Sequence, residues 1–415
     1  MTERLYVRDS LLLSFEARLV RAALHDGKPS IVLDRSAFYP EGGGQLGDRG
    51  TLTLDGLALE VIDVQIDDAS GEVHHLLAPT VNEVDEIVAK SIIEKSTIAG
   101  RVERAHRRDM MSQHTGQHML SCALLEVAGA ATVSSRLGRE TSTIDVDQPM
   151  LTEEKLRACE DAVNEVVLDD RPVHTLFPTE EELARLPLRR KPKVEKDIRV
   201  IHVEGFDVSP CGGTHCLATG QVGAVRIVKS ERYKGMTRVT FVAGARTIAD
   251  HRAHAAALGE LAKELKCGTF DVASALARVR ADARAASQQA GLARAELMRH
   301  LSTQLLATHA VDPSGTTRVV MARESGDLDS LRALAGALAA RADVVALVAA
   351  RDEATRDWLV VIERGASASF DAGRWWKQCA VAHGGRGGGR AEHAEGRLPQ
   401  SVDFEAIARE RGGAG

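Results

Sequence analysis

His114-Thr-Gly-Gln-His118 and Cys211-Gly-Gly-Thr-His215 decide how the middle of this chain is read. In the first, two imidazoles four residues apart share one helical face and can reach a single point. In the second, a thiolate and a third imidazole flank two glycines, which permit a tight turn that brings both inward. Three nitrogens and one sulfur suit one tetrahedral zinc ion. Thr115 stands where a zinc protease carries Glu, so His-Glu-x-x-His chemistry is excluded. Cys216 is the alternative sulfur. Cys211 is preferred because adjacent residues such as His215 and Cys216 rarely both aim at one ion. Four protein ligands close the shell, whereas a catalytic zinc usually keeps a place for water. The ion either exchanges a ligand or holds the pocket while another water is activated, and spacing does not choose.

Outward from these motifs the period of the sequence changes repeatedly. Toward the N-terminus, short apolar runs at Ile31–Leu33, Thr51–Leu54 and Leu57–Val64, separated by Gly and Asp turns, predict a small barrel or curled sheet. Asp55-Gly56 reads as a hairpin turn. Val84, Ile87, Val88 and Ile92 suggest a helix, a second should carry His114 through Leu124, and Glu153 to Val167 a third, capped by Thr152. Strands are expected at Ile198–Val203, Ala224–Val228 and Arg238–Val242. Residues 248–308 are dense in Ala, Leu, Arg and Glu without Pro, and predict a long helical hairpin or coiled-coil arm. The last block alternates again: strand Arg318–Ala322, helix Leu328–Ala340, strands Val344–Ala349 and Trp358–Ile362. A flexible loop is expected at Gly384–Arg390.

The expected fold is therefore α+β and multidomain. Its parts are an N-terminal β-barrel (1–82), a zinc-binding core (83–247), a helical arm (248–308) and a small C-terminal α/β domain (309–415).

The 415 residues exceed one comfortable core. At 44% hydrophobic and 27% charged, the composition is that of an ordinary globular protein. No run approaches the roughly 20 apolar residues that span a bilayer. Six scattered cysteines with no signal peptide favour a reducing, cytoplasmic setting.

Net charge is −6, but cations cluster locally. Arg185, Arg189, Arg190, Lys191, Lys193, Lys196 and Arg199 face only Glu195 and Asp197. Arg101, Arg104, Arg107 and Arg108 precede the first histidine motif, and Lys229, Arg232, Lys234 and Arg238 form a third group. Such clusters suit phosphate. Aromatics are sparse among them, with only Tyr233, so base-specific reading is not expected. In Phe38–Asp48, three glycines let backbone approach a ligand and expose N–H groups, and Gln45 is placed to orient a carbonyl or a water. Thr115 and Gln117 are expected to project away from the two histidines. His251 and His254 read as exposed, and Trp375 and Trp376 as core or interface.

Gly42-Gly-Gly-Gln-Leu-Gly-Asp48, the His114–His118 motif and Ser209-Pro-Cys-Gly-Gly-Thr-His215 together resemble the editing domain of alanyl-tRNA synthetases. The set is most similar to their free-standing relatives, the long-form alanyl-tRNA editing proteins. Thr219-Gly220, Val222-Gly223 and Phe241-Val-Ala-Gly-Ala-Arg246 extend the match. The resemblance implies one zinc ion per chain on His114, His118, Cys211 and His215, with Gln45 at the substrate end. It implies hydrolysis of the ester between serine or glycine and the 3′ end of alanine tRNA. The C-terminal DHHA1-type domain would bind the tRNA body, with the arm as spacer or homodimer element. No aminoacylation domain is expected upstream, since the barrel starts near residue 5. The alternative expectation is a zinc-stabilised tRNA- or RNA-binding module without hydrolytic activity.

Overall fold

Phe15, Ala17 and Leu19 are buried and alternate with exposed neighbours, which makes Ser14–His25 a half-buried strand. In the computed structural model, which describes residues 2–54, 56–78, 97–192, 198–312 and 315–410, this strand opens a closed six-stranded barrel. Around the barrel run Ser14–His25, Lys28–Leu33, Val73–Leu77, Leu57–Ile66, Gly50–Leu54 and Thr97–Val102, each antiparallel to its neighbours. The interior is filled by Ile31, Leu33, Leu52, Leu59, Val61 and Ile98 among others. The closing strand, Thr97–Val102, lies beyond residue 82. Asp55 and the helix expected around Val84–Ile92 lie outside the described residues. The long first strand was not picked out from the sequence, because a bulge between Leu19 and Arg21 interrupts its alternation.

A helix, Arg104–Ala128, starts directly after the closing strand. Arg107 fixes its direction. Its guanidinium is buried and donates to the Asp48 carboxylate, to the Ser10 carbonyl (2.7 Å) and to the Ala37 carbonyl (2.6 Å). All three acceptors belong to the barrel part of the chain, so one buried cation locks the helix to it. On its other sides the helix meets a four-stranded sheet, ordered Val225–Tyr233, Met236–Ala243, Ser142–Val146, Thr132–Leu137, and the helix Glu153–Leu168. Thr152 caps that second helix through the Lys155 N–H. A three-stranded meander, Val173–Leu176, Val200–Val203 and Asp207–Pro210, leads into the cysteine motif.

The chain divides into two compact units, 1–258 and 259–415. The Ala-rich stretch forms the helices Ala245–Glu264 and Val272–Thr308, interrupted where Lys266 takes a positive φ of 52°. In the second unit a five-stranded sheet runs Thr317–Arg323, Val344–Arg351, Trp358–Arg364, His393–Leu398, Arg386–Gly389, with only the first pair parallel. The segment expected as a loop contains its edge strand. Gly387 sits at φ 149°, where a Cβ would meet the Trp376 indole at 2.8 Å and the Gly396 Cα at 2.5 Å. The glycines thus serve close packing of backbone over a buried Trp. No described helix is long and apolar enough to cross a membrane.

Candidate metal centre

His114 and His118 lie on the inner face of Arg104–Ala128, where every residue from Met110 to Leu124 is buried. A polar face survives there only if its groups find partners. The turn after Asp207–Pro210 brings Cys211 and His215 against this face. The ligand atoms of His114, His118, Cys211 and His215 all lie within 4.8 Å of one another. Cys211 Sγ is 3.3 Å from both His114 Nε2 and His215 Nε2. Tetrahedral zinc, with Zn–S of about 2.3 Å and Zn–N of about 2.0 Å, separates sulfur from nitrogen by roughly 3.5 Å.

The far side of each imidazole is held. His114 Nδ1 donates to Gln45 Oε1 (2.7 Å), His118 Nδ1 to Asp207 Oδ2 (3.3 Å) and His215 Nδ1 to Thr115 Oγ1 (3.2 Å). With every Nδ1 carrying the proton, every Nε2 presents a lone pair to the common centre. His118 Nε2 is buried and finds no hydrogen-bond partner. An orphaned buried lone pair beside a sulfur and two further lone pairs fits a bound cation. A thiolate between imidazoles is also the arrangement of a cysteine nucleophile, but a nucleophile needs no third convergent imidazole.

At Cys211 and His215 the electrostatics agree with that fit. Burial raises the Cys211 thiol, yet the three imidazoles outweigh it and bring it well below its ordinary range. Burial dominates at His215 and pushes it well down, favouring the neutral ring. At His118 burial pushes down, but Cys211 and Asp207 together shift it upward. Burial would raise Asp207, but His118 and Arg189 hold its carboxyl well below the usual range.

Several placements differ from the sequence reading. Thr115 does not project idly. It accepts from the Cys216 N–H (3.0 Å) as well as from His215, so it orients one imidazole. Gln117 does turn elsewhere, to Ser121. Gln45 is fully buried, and its Oε1 and Nε2 are taken up by His114 and by the Thr214 N–H and hydroxyl. The Gly42 N–H pairs with the Gln45 carbonyl, and among the described residues the Gly43 and Gly44 N–H groups meet no acceptor. Cys216 stays outside the cluster, its thiol pushed up to about 11 by burial.

The basic stretch around 185–199 is largely spent on construction. Arg189 pairs with Asp207, and Arg190 donates to the Pro210 carbonyl. Arg199 donates to the carbonyls of Cys211 (3.0 Å) and Gly213 (2.6 Å), bracing the ligand turn. Lys193, Glu195, Lys196 and Asp197 lie outside the described residues. Gly213 is required for space: a Cβ there would sit 2.1 Å from the His114 ring. Sequence reasoning missed Asp207, Thr214 and the bracing role of Arg199. The signal was a carboxylate on the strand entering the motif and an arginine facing it across the meander, visible only once those strands are paired.

Three family models match the chain. Residues 198–240, around the cysteine motif, match the threonyl and alanyl tRNA synthetase second additional domain. Residues 9–94 match the class II (A) tRNA synthetases, and 315–410 match the DHHA1 domain. An alanine–tRNA ligase of Thermococcus kodakarensis is 30% identical over 99% of this chain and 43% of its own length. One from Natronomonas pharaonis is 31% identical over 85% of this chain and 38% of its own length. The alanyl-tRNA editing protein AlaX-L of Pyrococcus horikoshii is 30% identical over 60% of this chain and 59% of its own. The chain thus spans less than half the length of the ligases it matches. With the motifs gathered as described, the chain is similar to alanine–tRNA ligases over nearly its whole length and to a long-form alanyl-tRNA editing protein over 60% of it.

Proposed function

We propose that this chain is a zinc-dependent deacylase that hydrolyses the ester of mischarged seryl- and glycyl-tRNA of the alanine type, and that His114, His118, Cys211 and His215 hold the ion. The observation that carries the reading is the convergence of three Nε2 lone pairs and one thiolate, each imidazole fixed from behind. The named activity of the Pyrococcus horikoshii relative supplies the substrate class.

A zinc ion on these donors supplies positive charge that can polarise an oxygen or activate a water. The chain's own residues do the rest. Gln45, Thr115 and Asp207 keep the imidazole protons on the outer side. Arg199 holds the Cys211–Gly213 backbone in place. The open N–H groups of Gly43 and Gly44 are donors for a substrate carbonyl. Rejection of alanyl esters needs a group that hydrogen-bonds the serine hydroxyl, since only such a site discriminates strongly by one oxygen.

The four-donor set also favours a second reading. A filled tetrahedral shell is that of structural zinc, so the protein would bind tRNA without cleaving it. A deacylation panel on seryl-, glycyl- and alanyl-tRNA of the alanine type separates the two. The wild type should release serine or glycine and spare alanine, while Cys211→Ala and His118→Ala should release nothing above spontaneous hydrolysis. A wild type that binds zinc yet releases no amino acid overturns the editing reading.

A further inference from the structure

Several arginines of the first unit are spent on carboxylates. Arg107, Arg171, Arg189, Arg238 and Arg246 each hold a carboxylate. Among the first-unit arginines that make no ion pair or side-chain hydrogen bond with described residues, Arg49, Arg101, Arg104, Arg108 and Arg139 are set apart by their position. These five line two cavities, of about 260 Å³ and about 1210 Å³, which adjoin through Leu13 and Arg104.

The smaller cavity is walled by Ser10 and Cys216 as well as Arg104 and Arg108. Cys216 follows His215, and the Ser10 hydroxyl accepts from the His215 N–H (3.4 Å). That cavity therefore starts one residue from the candidate metal centre. Arg104 and Arg108 are one helical turn apart and share a face, while Arg107 between them turns inward to Asp48. The larger cavity carries Arg49, Arg101, Arg139 and Lys28, opposed by Glu60, Asp63 and Glu103. Among the described residues the combined lining remains positive, and none of its side chains is aromatic.

We propose that the two cavities form one groove for the sugar–phosphate backbone of RNA, with these five arginines as its phosphate contacts. Unpaired guanidiniums keep their full donor capacity for phosphate oxygens. Without aromatic platforms the groove holds backbone and does not read bases. The proposal rests on the tRNA-processing reading above, and names where that substrate lies.

The test measures binding of uncharged alanine tRNA between 50 and 200 mM KCl (a range of the order used for salt-slope analysis). It compares the wild type, the triple variant R101Q/R104Q/R108Q, and the charge-matched control R18Q/R157Q/R252Q, whose exposed arginines lie outside both cavities. Each lost phosphate contact lowers the log–log salt slope by about 0.7–0.9, so the groove variant should lose about 2–3 in slope. Affinity should fall roughly 10–100-fold. KM for charged tRNA should rise equally with kcat unchanged, and metal content should be unaltered. The control should bind as the wild type does.

Wild-type slope and affinity in the groove variant, or an equal loss in the control, overturn the proposal. Inorganic phosphate at constant ionic strength should displace tRNA no better than chloride. Strong displacement by phosphate alone marks a free-anion pocket and also overturns it. If the wild type fails to deacylate but groove-dependent binding persists, the editing reading falls and the groove stands.

Discussion

Two helices of this protein invert the usual expectation about burial. Arg104–Ala128 carries Arg107, Gln113, His114, Thr115, Gln117 and His118 among its buried residues. Val272–Thr308 has 37 residues and buries only Ala275, Met298 and Ser302, leaving Leu276, Val279, Leu292 and Leu297 exposed. The first is polar and inside, the second aliphatic and outside. Burial here follows the availability of partners rather than side-chain polarity. Each buried polar group of the first helix meets an acceptor, a donor or the candidate metal centre, whereas the second has helix propensity without a matching surface over most of its length.

The sharpest way to break this contrast is to remove a partner of the polar helix. Arg107→Ala leaves the Asp48 carboxylate, 0% exposed, without its guanidinium. Breaking such a buried pair should cost about 3–5 kcal/mol, read by urea unfolding. A loss near that of a surface substitution would show that the helix is not locked to the barrel in this way.

A second partner relation lies inside the barrel. His75 is fully buried, donating from Nδ1 to the Ile31 carbonyl and accepting at Nε2 from the Ser36 hydroxyl. Burial lowers its pKa from 6.5 to about 4. The unfolded chain takes up this proton near pH 6.5, while the folded ring resists it to about pH 4. Its contribution to stability is therefore complete above pH 6.5, declines as pH falls, and is gone below about 4. The span corresponds to about 3 kcal/mol. His75→Gln should flatten the unfolding free energy over that window, and an unchanged pH profile would rule His75 out as its source.

Gln45 tests the metal side of the comparison. Gln45→Ala removes the acceptor that fixes His114, and loss of such an outer partner typically costs about 10–100-fold in metal affinity. Chelator competition reads this independently of deacylation. Unchanged affinity would leave Gln45 as packing only. The smallest effect is expected on the exposed helix. Leu292→Ser, at a side chain 73% exposed, should shift stability by no more than about 0.5 kcal/mol. A larger and concentration-dependent loss would mean that a second copy covers this helix.

Much of the architecture was legible in local pattern. The Glu153 helix with its Thr152 cap, the strands near Ile31, Thr51 and Leu57, and the alternating C-terminal elements follow from periodicity and turn residues. Gly384–Arg390 was misread because glycine composition signals flexibility in isolation. Only the packing of Gly387 and Gly396 on Trp376 makes it a strand.

At the site, sequence alone determined the donor types and their spacing, because i and i+4 on a helix and two glycines in a turn are local geometry. Tertiary structure decided what stands behind each donor. Gln45 lies 69 residues from His114, and Asp207 lies 89 from His118. Chain folding alone brings them within hydrogen-bond reach, as it pairs Arg107 with Asp48 and Arg246 with Asp109 and leaves Arg104 and Arg108 unpaired among the described residues. Local spacing sets which groups can point together; the long-range contacts set their protons, their burial and their remaining capacity to bind.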